Sequence, residues 1–276
     1  MIYNFSIVYT SRRIDMVPNV LQHWLGNARK PEHIEIILSL DEDYADGIAR
    51  EPEIAEMMRE KFPSTPYKMC LAPVPGNCVK GWNKGAELAE GRVIIALDDF
   101  TAFPEWDVEL HALRNSPEHL RDGRWMDGPY NVHVNDGLHG DLCTLAIVTA
   151  NRYRSLGYLY YPAYESMYAD TELTSHAARD NTLINALYLT FTHSHHSNAG
   201  RVEDKVDIKH NSKERYQTGA ALFSYRKSSG FPIDRGQNAT SYLLNSDSPV
   251  GDSYAVLIQA TKDDFCLRES LGVLIA

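Results

Sequence analysis

The sequence predicts an α/β chain built on a mostly parallel, doubly wound central sheet flanked by helices. Two observations carry that expectation. Short apolar runs alternate with helix-patterned segments through the first hundred residues, the pattern of strand–helix–strand units with right-handed crossovers. Two of these runs, ending at Leu40 and Leu97, break off into acids, Asp41-Glu42-Asp43 and Asp98-Asp99. In open α/β sheets, ligands gather outside the carboxyl ends of the strands, so both acidic breaks fall where a site is expected.

The elements follow in chain order. Residues 3–10 are β-rich and end at Ser11-Arg12-Arg13. Residues 16–25 have helical spacing, with Val17, Val20, Leu21 and Trp24 on one face. Residues 34–40 form the second strand, 54–62 a surface helix and 67–71 a short strand. The breakers in 73–78 make a loop. Residues 79–89 read as a helix closed by Gly91, and 93–97 as a buried strand. The second half is less regular. Residues 127–140, rich in Gly, Asn and His, read as a long loop, and 142–149 as a strand. Tyrosines crowd positions 153, 158, 160, 161, 164 and 168. Residues 170–187 read as a helix, and 188–192 as a strand leading into His193-Ser194-His195-His196. Residues 200–215 are charged, 219–225 are helical and 232–249 are a polar linker. A further strand over 253–261 and a helix from 264 read either as a docked tail or, by a slight preference, as the first unit of a truncated second domain.

Composition narrows the function. With 276 residues, 43% hydrophobic and 23% charged, the chain can bury a sizeable core. A net charge of −10 argues against non-specific binding to a nucleic-acid backbone. Cys70, Cys78, Cys143 and Cys266 show no metal-binding spacing and read as thiols of a reducing compartment. The start carries no signal-peptide pattern, and no apolar run approaches a membrane span of about 20 residues. The expected location is therefore the cytoplasm. Neither a GxGxxG turn nor a Walker A loop is present.

The residues themselves point to chemistry. Asp98 and Asp99 suit a hard divalent cation and a phosphorylated substrate; the competing role is a turn cap for Asp98 and solvation for Asp99. Asp41 and Asp43 end their strand at the same edge and suit a hydrogen bond from a base or ribose, or turn capping. Lys80 and Asn83 lie one helical turn apart and share a face, Lys80 suiting a phosphate. Asp170 suits the N-cap of a helix beginning at Thr171.

Four pieces in order then carry a resemblance: Thr10-Ser-Arg12; Ser39-Leu-Asp41-Glu-Asp43; Gly76-Asn-Cys-Val-Lys80-Gly-Trp-Asn83-Lys-Gly-Ala86 leading through Gly91 into Asp98-Asp99; and Tyr168-Ala-Asp170-Thr-Glu-Leu173. Over residues 3–230 the chain resembles the metal-dependent nucleotide-sugar glycosyltransferases of the GT-A fold, the inverting family 2 type. That resemblance implies a donor-binding half over 1–100, an acceptor and catalytic half over 101–230, and a linker and tail over 231–276. It implies a UDP-sugar donor by default and an Mn²⁺ or Mg²⁺ ion held by Asp99 and His193, with His195 as the rival ligand. Thr10, Arg12, Asp41, Asp43, Lys80, Asn83 and Asp98 would bind the donor, and Asp170 would be the base. The family's Asp-x-Asp is Asp98-Asp99-Phe100 here, with no carboxylate at the third position; some relatives with an Asp-Asp form place the second Asp on the metal. The loop 127–141 and the tyrosine-rich stretch would face the acceptor: a glycan, a small molecule or a modified nucleic-acid base. Arg152, Arg154, Arg201, Lys205, Lys209 and Lys213 could meet an anionic acceptor. The tyrosine-rich, Ala-Asp-Thr-Glu type is similar to phage and bacterial transferases, some of which decorate modified DNA bases. The alternatives are a nucleotidyltransferase, disfavoured by the lack of glycines after the first strand, and a non-catalytic binding module of the same fold.

Overall fold

The computed structural model describes residues 3–114, 116–194 and 202–233. The strands are β1 (Phe5–Thr10), β2 (Ile34–Asp41), β3 (Tyr67–Ala72), β4 (Val93–Leu97), β5 (Phe100–Thr101), β6 (Asn131–Asn135), β7 (Ala146–Thr149), β8 (Leu183–Thr190) and β9 (Thr192–His193). The helices are α1 (Val17–Gly26), α2 (Ala45–Lys61), α3 (Cys78–Ala86), α4 (Trp106–Ala112), α5 (Ala150–Leu156), α6 (Ala169–Arg179), α7 (Lys205–His210) and α8 (Lys213–Ser228). Seven strands form one sheet in the order β3-β2-β1-β4-β7-β6-β8. The pairs β1–β2, β1–β4, β2–β3 and β6–β8 are parallel, and β7 runs antiparallel to both neighbours. The predicted architecture, a mostly parallel sheet flanked by helices, is the one observed.

Why the first strands read as continuous apolar runs is plain from their burial. Phe5, Ile7 and Tyr9 of β1 join Ile36, Leu38, Val93 and Ile95 in one core layer with Trp24 and Trp106. Val8, Ile37, Ile94 and Ala96 face the opposite layer with Val79, Trp82 and four tyrosines. A sheet covered on both faces needs apolar residues at both parities. The exception is at the amino ends, where Glu35 is fully buried. Its carboxylate accepts from the Ser6 hydroxyl at 2.5 Å and the Gly91 amide at 3.1 Å, and Lys68 Nζ lies 2.9 Å away.

The structure corrects several expectations. Residues 127–140 are not all loop: β6 lies inside them, with Asn131, Val132, His133 and Val134 buried. The helix expected over 170–187 stops at Arg179, and Asn181 adopts φ 54° before β8 begins at Leu183. The surface helix expected from 54 starts at Ala45 and carries Pro52 inside it. Tyr158, Tyr160, Tyr161 and Tyr164 are at most 6% exposed. They pack in the core, because a planar ring with one polar tip fills the gap between sheet and helices; of the tyrosine-rich stretch, Tyr160 and Tyr168 also line the cleft at the strand ends. Arg152 likewise is buried, its guanidinium 2.8 Å from Asp180. His195, His196, Arg201, Cys266, most of the predicted linker and the predicted strand and helix beyond it lie outside the described residues. Among the described residues no helix is long and apolar enough to cross a membrane.

Candidate functional site

A cleft of about 390 Å³ opens at the carboxyl ends of β1, β2 and β4. Of the expected site residues, Thr10, Arg12, Asp41, Asp98, Asp99, Asp170 and His193 line it. Two glycines allow the backbone to close around it. A Cβ on Gly81 would stand 2.3 Å from Thr10 Oγ1, and one on Gly76 would stand 2.2 Å from Asp41 Cγ. Helix α3 and its preceding loop thus press directly onto the ends of β1 and β2. Trp82 Nε1 completes the seat by donating to the Leu97 carbonyl at 2.9 Å.

Asp41 is 6% exposed, and its Oδ2 accepts from Arg12 Nε at 2.6 Å. Its Oδ1 is buried and has no hydrogen-bond partner among the described residues. A buried carboxylate oxygen without a donor is costly, and a ligand N–H or O–H in the cleft would satisfy it. Arg12 also reaches the exposed Asp43, so Asp43 buttresses Arg12 outside the cleft. Lys80 and Asn83 do not line the cleft. Lys80 Nζ donates to the Pro75 carbonyl at 2.9 Å. Asn83 Oδ1 accepts from the amides of Leu159 and Tyr160 at 2.9 and 3.0 Å, and its Nδ2 donates to the Tyr160 carbonyl at 2.7 Å. Asn83 therefore staples the tyrosine-rich segment onto α3.

Asp99 is 4% exposed and meets Arg13, whose Nη1 donates to Asp99 Oδ2 at 2.6 Å. The same guanidinium donates to Asp204 at 2.7 and 3.1 Å and to Asp207 at 2.7 Å. Asp204 and Asp207 also form the capping box of α7. Contact with Arg13 holds the Asp204 carboxyl well below the ordinary range. One side chain from the exit of β1 thus pins α7, whose Val206, Asp207, Lys209 and His210 line the cleft.

The end of β4 turns into β5, which pairs antiparallel with β9 so that Phe100 stands opposite His193. Ser194 N donates to the Asp99 carbonyl at 2.7 Å, and Trp24 Nε1 donates to the Phe100 carbonyl at 2.8 Å. Asp99 and His193 are therefore neighbours across this two-stranded ladder and line the same cleft. Among the described residues, no group of three or more His, Cys, Asp or Glu side chains is placed to hold a metal ion. One carboxylate and one imidazole at a shared edge still suit a divalent ion whose remaining positions are filled by phosphate oxygens and water.

Asp170 stands in the first turn of α6, whose N-cap is Tyr168 at φ 70°, without a side-chain cap bond. The helix begins at Ala169 rather than Thr171, so Asp170 is not its N-cap. Burial raises the Asp170 carboxyl above its usual range, opposed by hydrogen bonds from Thr171 and by the nearby His139. A raised carboxylate in a cleft is a recognised mark of an acid–base group.

Sequence reasoning passed over Arg13, Asp136, His139, Asp204 and Asp207. Their signals were short: Asp136 and His139 are three residues apart, as are Asp204 and Asp207, the latter a capping-box spacing. Nothing local marks Arg13 over Arg12.

No protein-family model matches the chain, and no curated protein matches it. Solved structures do. S. aureus TarS 1–349 aligns at TM-score 0.55 and 13% identity over 96% of this chain and 73% of that one. The same protein in complex with UDP-GlcNAc aligns at TM-score 0.55 and 12% identity, over 99% and 76%. A mannosyltransferase from Pyrobaculum calidifontis, PcManGT, in complex with GDP-Man and Mn²⁺, aligns at TM-score 0.48 and 12% identity, over 93% and 84%. At these identities the TarS likeness shows a shared fold.

Proposed function

We propose that this chain is a glycosyltransferase that moves a sugar from a nucleoside-diphosphate donor to an acceptor hydroxyl with inversion at the anomeric carbon. The observation that carries the reading is the convergence of Asp41, Asp99, His193 and Asp170 on one cleft at the carboxyl ends of the central strands. The fold shared with TarS, which binds UDP-GlcNAc, supports a UDP-sugar as the first donor to test. The nucleotide lies across the ends of β1 and β2, where Asp41 Oδ1 accepts a hydrogen bond from the base or ribose and Arg12 braces it. Thr10 and Asp98 line the same part of the cleft.

Asp99 and His193 would hold a divalent ion, Mn²⁺ suiting the imidazole and Mg²⁺ the carboxylate. When bound, such an ion neutralises charge on the departing diphosphate. Asp170 takes the proton of the acceptor hydroxyl as the oxygen attacks the anomeric carbon. The bond from that carbon to the diphosphate oxygen breaks, and the electron pair leaves with the nucleoside diphosphate. The acceptor is a hydroxyl on a glycan, a small molecule or a modified base, and the protein works in the cytoplasm. We assign the transferase domain to residues 1–230, with the donor half before residue 100, the acceptor and catalytic half after it, and residues 231–276 as linker and tail.

Calorimetric titration with a panel of nucleoside diphosphates and nucleotide sugars, with Mn²⁺ and with chelator, tests this reading. Metal-dependent binding of one nucleotide, lost in Asp99→Ala, is the expected result. A protein that binds none of the panel under either condition overturns it.

A further inference from the structure

The cleft has two unlike ends. Along the sheet, β1 and β2 lie on one side of β4, and β7, β6 and β8 on the other. Arg12 and Arg13 follow β1, Asp41 ends β2, and Asp98 and Asp99 follow β4, so that end is charged. Helix α7, with Lys209 and His210, is tied to it through the bonds of Arg13 to Asp99, Asp204 and Asp207. β7 runs antiparallel to both β4 and β6, so β6 points the same way as β4 and its exit reaches the same edge of the sheet. Leu138, from that exit, lines the cleft, as do Met167 and Tyr168, just before Asp170 in α6. Helix α6 packs beside β8, the strand next to β6. The end that holds the proposed base therefore presents an aromatic ring and two apolar chains, with His139, Ser166 and Asn211 as polar neighbours.

Tyr168 is held there against its own backbone preference. Its φ is 70°, a left-handed value that a bulky residue rarely adopts. Among the described residues at positive φ, Tyr168 alone lines the cleft. The core tyrosines nearby fill space without such a backbone. Helix α8 imposes the conformation. A Cβ on Gly219 would stand 2.5 Å from the Met167 carbonyl oxygen and 3.1 Å from Tyr168 Cδ2, so α8 abuts this turn through bare backbone. Two rings of α8 flank Tyr168, Tyr216 edge-on at 5.2 Å and Phe223 at 5.9 Å between ring centres. Tyr216 is 51% exposed. Strain of this kind persists where the surroundings over-determine it, and it gathers at ligand clamps.

Resting on the transferase reading, we infer that Tyr168 and Tyr216 form the platform on which the acceptor lies, and that the acceptor hydroxyl is carried by a sugar ring. A pyranose has a flat face of C–H bonds and an edge of hydroxyls. The face suits the tyrosine rings, and the hydroxyls suit His139, Ser166 and Asn211. Ligand sites commonly divide their work in this way, between apolar walls and a few polar groups. An open-chain polyol offers no such face. A nucleobase offers one, but the net charge of −10 opposes the phosphate backbone that would carry it. Stacking on Tyr168 brings a ring hydroxyl to the wall that holds Asp170.

The test uses the whole protein with whichever nucleotide sugar the wild type binds, and reads release of nucleoside diphosphate as acceptors are added. The acceptors are the methyl pyranosides of glucose, galactose, mannose and N-acetylglucosamine, the ring-less polyols glycerol and xylitol, and a hydroxymethylcytosine nucleoside. At least one pyranoside is expected to raise release above the rate in water, and neither polyol is. Tyr168→Gly removes the ring and suits the left-handed backbone. Its KM for that pyranoside should rise about tenfold, with nucleotide affinity kept within about twofold. Tyr168→Phe keeps the ring and should keep this KM within about twofold, whereas Tyr216→Ala should raise it about threefold. A panel in which no pyranoside exceeds glycerol, a faster rate with the nucleoside, or an unchanged KM in either Tyr168→Gly or Tyr216→Ala overturns the platform and leaves the transferase reading in place. A wild type that binds no nucleotide removes that reading, and the platform with it.

Discussion

The Phe100 ring lies flat on the His193 imidazole, with ring centres 4.2 Å apart and planes 7° from parallel. Phe100 occupies the third position of the motif, where the resembled family carries its second aspartate. The structure gives the departure a use: the phenyl ring is 3% exposed and fixes the plane of the imidazole instead of offering a ligand atom. Stacking of this kind is worth about 0.5–1.5 kcal/mol beyond burial.

Phe100→Leu keeps most of the buried volume and removes the flat support. We expect a small drop in thermal midpoint and a larger fall in metal-dependent nucleotide affinity, read by calorimetry with and without Mn²⁺. Equal affinity in wild type and variant would show that the stack is packing alone.

Asp170→Asn removes the proposed base and leaves the fold of α6 intact. Turnover falls about 10²–10⁴-fold while nucleotide affinity is retained. The sign of the pH dependence follows from the raised carboxyl. The base works only when ionised, so the rate is full above the raised value and falls as pH drops through it. The acid limb of the rate profile should therefore lie above the ordinary carboxylate range near 3.9.

Arg226 and Glu172 form an ion pair with both side chains at most 3% exposed, at 2.7 Å, and the guanidinium lies 3.3 Å from the Tyr161 ring centre. Removing one partner leaves a buried charge alone. Arg226→Met should cost about 3–5 kcal/mol in denaturant unfolding, whereas replacing both residues by apolar ones should cost much less. A small effect in the single variant would mean that water reaches Glu172.

Gly76→Ala places a methyl group against the Asp41 carboxylate. The carboxylate must turn away, and Arg12 with it. Nucleotide affinity should fall by about tenfold, or about 1.4 kcal/mol, with far-UV circular dichroism unchanged. Unaltered affinity would place the nucleotide elsewhere in the cleft.

Much of the fold was legible because both parities of β1, β2 and β4 are apolar and their ends are punctuated by Ser11, Asp41 and Asp98. Legibility failed where tertiary contacts overrode local pattern. The strand β6 hides in a segment of polar residues because Asn131 and His133 are buried by neighbours far off in sequence. The helix–strand junction at Asn181 carries no Gly or Pro to announce it. At the site, strand-end acids could be seen because position alone implies exposure to a ligand. Asn83 could not be assigned from its helix face, since its amide is consumed by the backbone of Leu159 and Tyr160. Arg13 could not be distinguished from Arg12, since its partners lie 86 and 191 residues away.

That last pairing bears on how the molecule is assembled. Chains are made from the amino end, and early segments can collapse while later ones are still being added. The strands β1 to β4 can pair as soon as they are complete, and Arg13 then finds only Asp99. Asp204 and Asp207 arrive some 190 residues later, and joining ends so far apart costs only slowly more than joining near ones. The cleft is thus begun with one of the earliest side chains synthesised and closed with some of the last that the structure describes. A nascent chain halted before Asp204 carries the sheet without its α7 wall.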